Sequence, residues 1–162
     1  MRPSPVPPED MNWRALMDVA LHEAHAAADA EEAPIGAALF DSSGKLIASA
    51  HNGPIALNDP TAHAEVLCLR RAASALNNYR LPGTILAVTL EPCLMCVGAI
   101  LHARVSGVIF GATDPKRGAL VSNLEGHSLS FSNHRLWQVG GIMEKECASV
   151  LQQFFRSRRK NR

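Results

Sequence analysis

The chain has 162 residues, 47% of them hydrophobic and only 5% aromatic, with a formal charge of +1. That length suits one domain, and that composition suits a core of Ala, Val, Leu and Ile in helices packed on a sheet. No stretch approaches the roughly 18 apolar residues of a membrane helix, and the proline-rich start lacks the apolar run of a signal peptide; the expected location is therefore the cytoplasm. There, four cysteines are expected as thiols or metal ligands rather than disulfides.

Residues 1–10 carry Pro3, Pro5, Pro7 and Pro8 and are expected to form a flexible arm before a single domain over 11–162. Residues 11–30 have Trp13, Leu16, Met17, Ala20, Leu21 and Ala24 at helical spacing. Pro34–Phe40 and Lys45–Ala50, separated by Asp41-Ser42-Ser43-Gly44, predict a β-hairpin, with Gly36 permitting a bulge or a close backbone approach. His51–Pro60 is expected as a loop. The N-cap types Asp59 and Thr61, with Pro60 between them, predict a helix opening near Thr61 and running to about Asn77.

Thr84–Leu90 reads as a strand, Pro92 to about Ala103 as a helix, and Val105–Phe110 as another strand. Gly111–Asn133 is loop-rich, Val139–Met143 is expected as a short strand, and Glu144 to about Lys160 as a closing helix. Alternating strands and helices imply parallel pairing through crossover connections. Charge is uneven along this order. Residues 1–155 carry a net −4, whereas Arg156–Arg162 carries +5, a footprint suited to phosphates.

The chemistry-bearing pattern is His63-Ala64-Glu65 followed, 26 residues on, by Pro92-Cys93-Leu94-Met95-Cys96. One imidazole and two thiolates form a three-ligand set for Zn²⁺, leaving the fourth tetrahedral position open as in catalytic sites. The rest of the chain supplies no ligand-spaced partner to complete a structural site: His22 and His25 are expected on a helix surface, and Cys68 and Cys147 as small buried hydrophobes. Two thiolates neutralise the metal, so water activated there needs a neighbouring base. Glu65 is expected to take that proton. His-x-Glu with Pro-Cys-x-x-Cys resembles the signature of zinc-dependent base deaminases, a resemblance that implies that Glu65 then passes the proton to a ring nitrogen and later protonates the departing amine.

A closer resemblance runs from about Met11 to Arg159. Ala33-Pro34-Ile35-Gly36-Ala37, Asn52-Gly53-Pro54-Ile55, Asp59-Pro60-Thr61-Ala62-His63-Ala64-Glu65, Asn78-Tyr79-Arg80-Leu81, Val88 to Cys96, Gly111 to Lys116, Asn133-His134-Arg135 and Phe154 to Arg159 resemble segments of the bacterial tRNA-specific adenosine deaminases. The resemblance implies an α/β fold of cytidine-deaminase type: three layers, α/β/α, with a mixed five-stranded sheet. It also implies conversion of adenosine to inosine at the wobble position of a tRNA anticodon stem-loop, by a homodimer holding one Zn²⁺ per subunit.

Residue by residue, the resemblance makes Asn52 a hydrogen-bonding partner of the purine nucleoside, sets Asp114 and Lys116 in a loop beside the RNA, and gives Phe155 and Arg159 contacts to the anticodon loop. Gly53 and Val121 depart from residues common in the family. Two other readings are open. One is deamination of a free base or nucleoside, such as guanine or cytosine; the other is a zinc-stabilised RNA-binding module without catalysis.

Overall fold

The computed structural model describes residues 3–162. Five strands, β1 (Gly36–Phe40), β2 (Leu46–His51), β3 (Ile85–Leu90), β4 (Gly107–Ala112) and β5 (Trp137–Val139), form one sheet in the order β2-β1-β3-β4-β5. β1 is antiparallel to β2 and β3, while β3, β4 and β5 run parallel. The sheet is thus mixed, and it is covered on both faces. Ala37, Leu39, Leu86, Val88, Val108 and Phe110 point to one core, which α3 (Ala64–Leu76) and α4 (Leu94–His102) cover; Ala38, Phe40, Ile85, Ala87 and Ile109 point to the other, with α1 (Trp13–Asp29) and Cys147 of α5 (Glu144–Lys160). Strict alternation with both faces apolar is what a central strand between two helical layers requires.

Asn12 starts α1 by accepting the Ala15 N–H at 3.1 Å, an ordinary N-cap. The α1 backbone lies so close to β1 that a Cβ on Gly36 would overlap the Ala20 carbonyl; of the two expectations for Gly36, the close approach is the one realised, and the bulge falls between Leu39 and Phe40 instead. Glu23 of α1 ties the helix to β2, accepting Ser49 Oγ–H at 2.7 Å and lying 2.8 Å from His51 Nδ1. α5 carries Glu144 and Glu146 in its first turn and Arg158, Arg159 and Lys160 in its last, each sign facing the complementary end of the helix dipole. Among the described residues no helix is long and apolar enough to cross a membrane.

Several boundaries differ from the sequence expectation. The loop after β2 contains a single helical turn, α2 (Pro54–Leu57), begun by Pro54 and ended by Asn58 in the left-handed region. α3 opens at Ala64 rather than near Thr61, because Asp59 Oδ1 takes both the N–H and the hydroxyl of Thr61 in a local turn that competes with helix. β4 lies two residues later than expected. The last strand is Trp137–Val139 instead of 139–143, since Gly141 at φ +82° turns the chain, and Gly107 leaves the space that the Trp137 ring fills.

Candidate active site

Two helix starts face each other at one rim of the sheet. His63 is the N-cap of α3 with extended backbone (φ −72°, ψ 151°), and Cys93 is the N-cap of α4 (φ −75°, ψ 172°). Because His63 stands just outside the helix and Glu65 just inside it, residues two apart in sequence converge instead of diverging as they do mid-helix. The His63 capping position is held from outside, by Asn52 Oδ1 accepting the Ala64 N–H at 2.8 Å. On α4, the helical turn from Cys93 to Cys96 brings the second thiol beneath the first.

His63 Nδ1 lies 3.5 Å from Cys93 Sγ and 3.6 Å from Cys96 Sγ, and the three atoms are mutually within 4.8 Å. Tetrahedral Zn²⁺ bonds to sulfur and nitrogen would separate N from S by about 3.6 Å. The spacing and the donor chemistry both fit that ion. The thiols are already polarised: a hydrogen bond from Cys96, opposed by burial and helped by His63, pulls Cys93 down to about 3, while that same bond and burial push Cys96 up. His63 is raised chiefly by its hydrogen bond to Cys93.

Glu65 is 4% exposed, and its Oε2 lies 3.3 Å from Cys96 Sγ. Burial pushes its carboxyl above the ordinary value, which suits a group that must hold a proton and release it. The cluster opens into a cavity of about 480 Å³. Asn52, Asp114, Lys116 and Phe155 line it together with His63, Glu65 and Cys93.

The family described as the cytidine and deoxycytidylate deaminase zinc-binding region matches residues 11–112. The chain belongs to that zinc-binding deaminase family. A tRNA-specific adenosine deaminase of Agrobacterium fabrum is 46% identical over 144 residues, covering 89% of this chain and 94% of the relative. A solved structure from studies of A-to-I editing by tRNA:A34 deaminases at the wobble position of transfer RNA superposes with a TM-score of 0.81 at 44% identity, covering 85% of this chain and 99% of the other. The guanine deaminase of Bacillus subtilis superposes with a TM-score of 0.63 at 29% identity, covering 90% and 95%. The α/β fold with a mixed five-stranded sheet is the fold of this family, and its cofactor is zinc.

Within the deaminase, Arg159 stands apart from the cavity, one helical turn beyond Phe155 on the exposed face of α5. Phe155 is 47% exposed and meets Phe154 edge to face at 5.4 Å, so it is no core residue. Arg158 is spoken for, its guanidinium 4.6 Å from the Phe154 ring centroid and donating to the Glu31 carbonyl. His22 and His25 are exposed, and Cys68 and Cys147 are buried thiols, both pushed up to about 12 by burial. Sequence reasoning missed Ala33, Ile35, Leu90, Glu91, Arg117 and Leu151 in the cavity wall. Arg117 follows Lys116 directly, and that doublet was the one available signal.

Proposed function

We propose that the chain hydrolyses adenosine to inosine at the wobble position of a tRNA anticodon, releasing ammonia, as a cytoplasmic homodimer. The observation that carries this reading is the meeting, in one cavity, of the His63–Cys93–Cys96 cluster and the buried Glu65 with the cations Lys116 and Arg117 and the exposed Phe155. A free base gives no reason for cations and an aromatic ring at the rim; an RNA loop does, through phosphate contacts and stacking. The similarity to tRNA-specific adenosine deaminases, closer than that to guanine deaminase, supports it.

In this reading His63, Cys93 and Cys96 hold the zinc, which when bound supplies the Lewis acidity that activates water at neutral pH. Glu65 takes one proton from the attacking water and delivers it to a ring nitrogen of the adenine, then takes the second from the added oxygen and hands it to the departing amine as the C=O bond forms and the C–N bond breaks. Its low exposure keeps competing water away from that transfer. Asn52 has committed Oδ1 to the Ala64 N–H, so its Nδ2 is the group that remains to donate to an acceptor on the nucleoside. A wobble base in a loop is cheap to splay into the cavity, and Phe155 offers a face at its mouth.

The test is incubation of purified protein with a tRNA bearing an unpaired wobble adenosine, in parallel with free adenosine, adenine, guanine and cytosine, followed by mass-resolved nucleoside analysis. Inosine from the tRNA alone is the expected result. Turnover of a free base instead would overturn the RNA reading while keeping the roles of zinc and Glu65; unchanged substrates throughout would favour a non-catalytic RNA-binding module. Light scattering of the purified protein tests the dimer.

A further inference from the structure

Glu91 directly follows β3, one residue before Pro92 and two before Cys93, is 2% exposed, and has no cationic partner among the described residues. What surrounds it instead is the loop that follows β4. Oε2 accepts the N–H groups of Leu120 (3.2 Å), Val121 (3.0 Å) and Ser122 (2.9 Å); Oε1 accepts the Asp114 N–H (3.2 Å) and the Ser122 hydroxyl. Five donors converge on one carboxylate. Buried N–H groups without an acceptor are strongly disfavoured, and an ionised carboxylate, which accepts on both oxygens and donates on neither, answers all five donors at once.

The same loop carries Asp114, Lys116 and Arg117 into the cavity wall. Asp114 Oδ1 accepts the N–H groups of Lys116 and Arg117, which sets the local turn but not its place relative to the cavity. Placement comes from the β3 side: Glu91, the Pro92 carbonyl accepting the Ala119 N–H at 2.9 Å, and the bridge between Cys93 and Gly118. Gly118 packs directly on the Glu91 carboxylate, where a Cβ would overlap it.

We infer that Glu91 is a positioning residue, which joins the Cys93–Cys96 helix start to the 114–122 loop and thereby sets Lys116 and Arg117 over the cavity where the RNA backbone passes. The inference rests on the tRNA reading for the identity of that ligand, while the positioning itself does not. A glutamine at 91 is a poor substitute. With its NH₂ group at the Oε2 position it faces three backbone N–H groups; at the Oε1 position the Ser122 hydroxyl can turn to accept from it, but the Asp114 N–H loses its acceptor.

The experiment uses zinc-loaded wild-type, Glu91→Gln and Gly118→Ala proteins. It measures zinc content, amide hydrogen exchange resolved over 113–123, and kcat and KM on an anticodon stem-loop with a wobble adenosine. Glu91→Gln is expected to retain one zinc per chain, to speed exchange in 113–123 at least tenfold while β3 and α4 keep their protection, and to raise KM at least tenfold with kcat within threefold.

Gly118→Ala, which displaces the carboxylate from the other side, is expected to reproduce the effect, and the double variant to add little to either. Unchanged exchange in the loop would overturn the inference. So would faster exchange throughout with loss of zinc, which would make Glu91 a support of the metal helix only; if Glu91→Gln fails to fold, Gly118→Ala decides alone. A wild-type protein that makes no inosine from the stem-loop sinks the proposed function, and the exchange measurement still decides the positioning.

Discussion

Asn52 at the end of β2 and Ala64 at the start of α3 are joined by a 2.8 Å hydrogen bond from the Ala64 N–H to Asn52 Oδ1. One side chain thus caps the helix carrying Glu65 and faces the cavity. The two duties separate by substitution. Asn52→Asp keeps the acceptor and removes the donor, so turnover is expected to fall steeply while the melting temperature stays close to wild type. Asn52→Ala removes both and should also cost about 1 kcal/mol, as other lost caps do. Thermal melts beside initial rates check this; equal destabilisation by both variants would contradict it.

Glu65→Ala should leave zinc content at one per chain and lower turnover by roughly 10²–10⁴-fold, the usual contribution of general acid–base catalysis. The assay is metal analysis with single-turnover kinetics on the same preparation. Near-normal turnover would remove Glu65 from the proton path.

The four thiols should separate by alkylation followed by peptide mass mapping. In chelator-treated protein Cys93, held near 3 and partly exposed, is expected to react first, because the thiolate is the reacting species. Cys68 and Cys147, both pushed up to about 12 and buried, should react only on unfolding. Zinc loading should protect Cys93 and Cys96 together; protection of one alone would argue against shared ligation.

Arg158 and Arg159 are adjacent in sequence but should fail differently. Arg158→Ala breaks the contact with Glu31 and Phe154 and is expected to lower the melting temperature slightly. Arg159→Ala should leave the melt unchanged and flatten the salt dependence of tRNA binding by roughly 0.7–0.9 in log–log slope, as loss of one phosphate contact does. Filter binding over a salt series reads the second effect, and identical slopes would exclude Arg159 from the interface.

Glu23 gives the fold an acid-side sensitivity. Burial works to raise its pKa, but hydrogen bonds with His51 and Ser49 outweigh it and the folded value lies below 4.5. A depressed carboxylate stabilises the fold above its unfolded value, and that stability is lost as pH falls through the folded value. Stability should therefore decline below about pH 4.5. Glu23→Gln should show a shallower decline in urea melts over pH 3–6.

Much of the frame was legible because it depends on local pattern: a compact apolar run for β1, a run of β-branched and aliphatic residues for β3, helical spacing for α1, and turn residues at 41–44 for the hairpin. The meeting of His63, Cys93 and Cys96 could be anticipated because each ligand sits next to a helix-start signal that follows or precedes a strand. What escaped depends on partners distant in sequence. The α3 start was misjudged because its cap, Asn52, lies twelve residues before Ala64, and local capping types were read in its place. Glu91 gave no local sign and Arg117 only its place beside Lys116, since the fold of the 114–122 loop onto the end of β3 is what brings them into play.

The cavity-lining residues come from one rim of the sheet and α5: the end of β2, the approach to β1, the ends of β3 and β4, and the starts of α3 and α4. The opposite rim carries the hairpin turn at 41–45 and the Leu81–Thr84 and Val105–Ser106 connections. This division lets the two ends diverge under separate selection. Loops on the first rim can be exchanged to admit a new nucleobase while the strands and the metal cluster stay fixed.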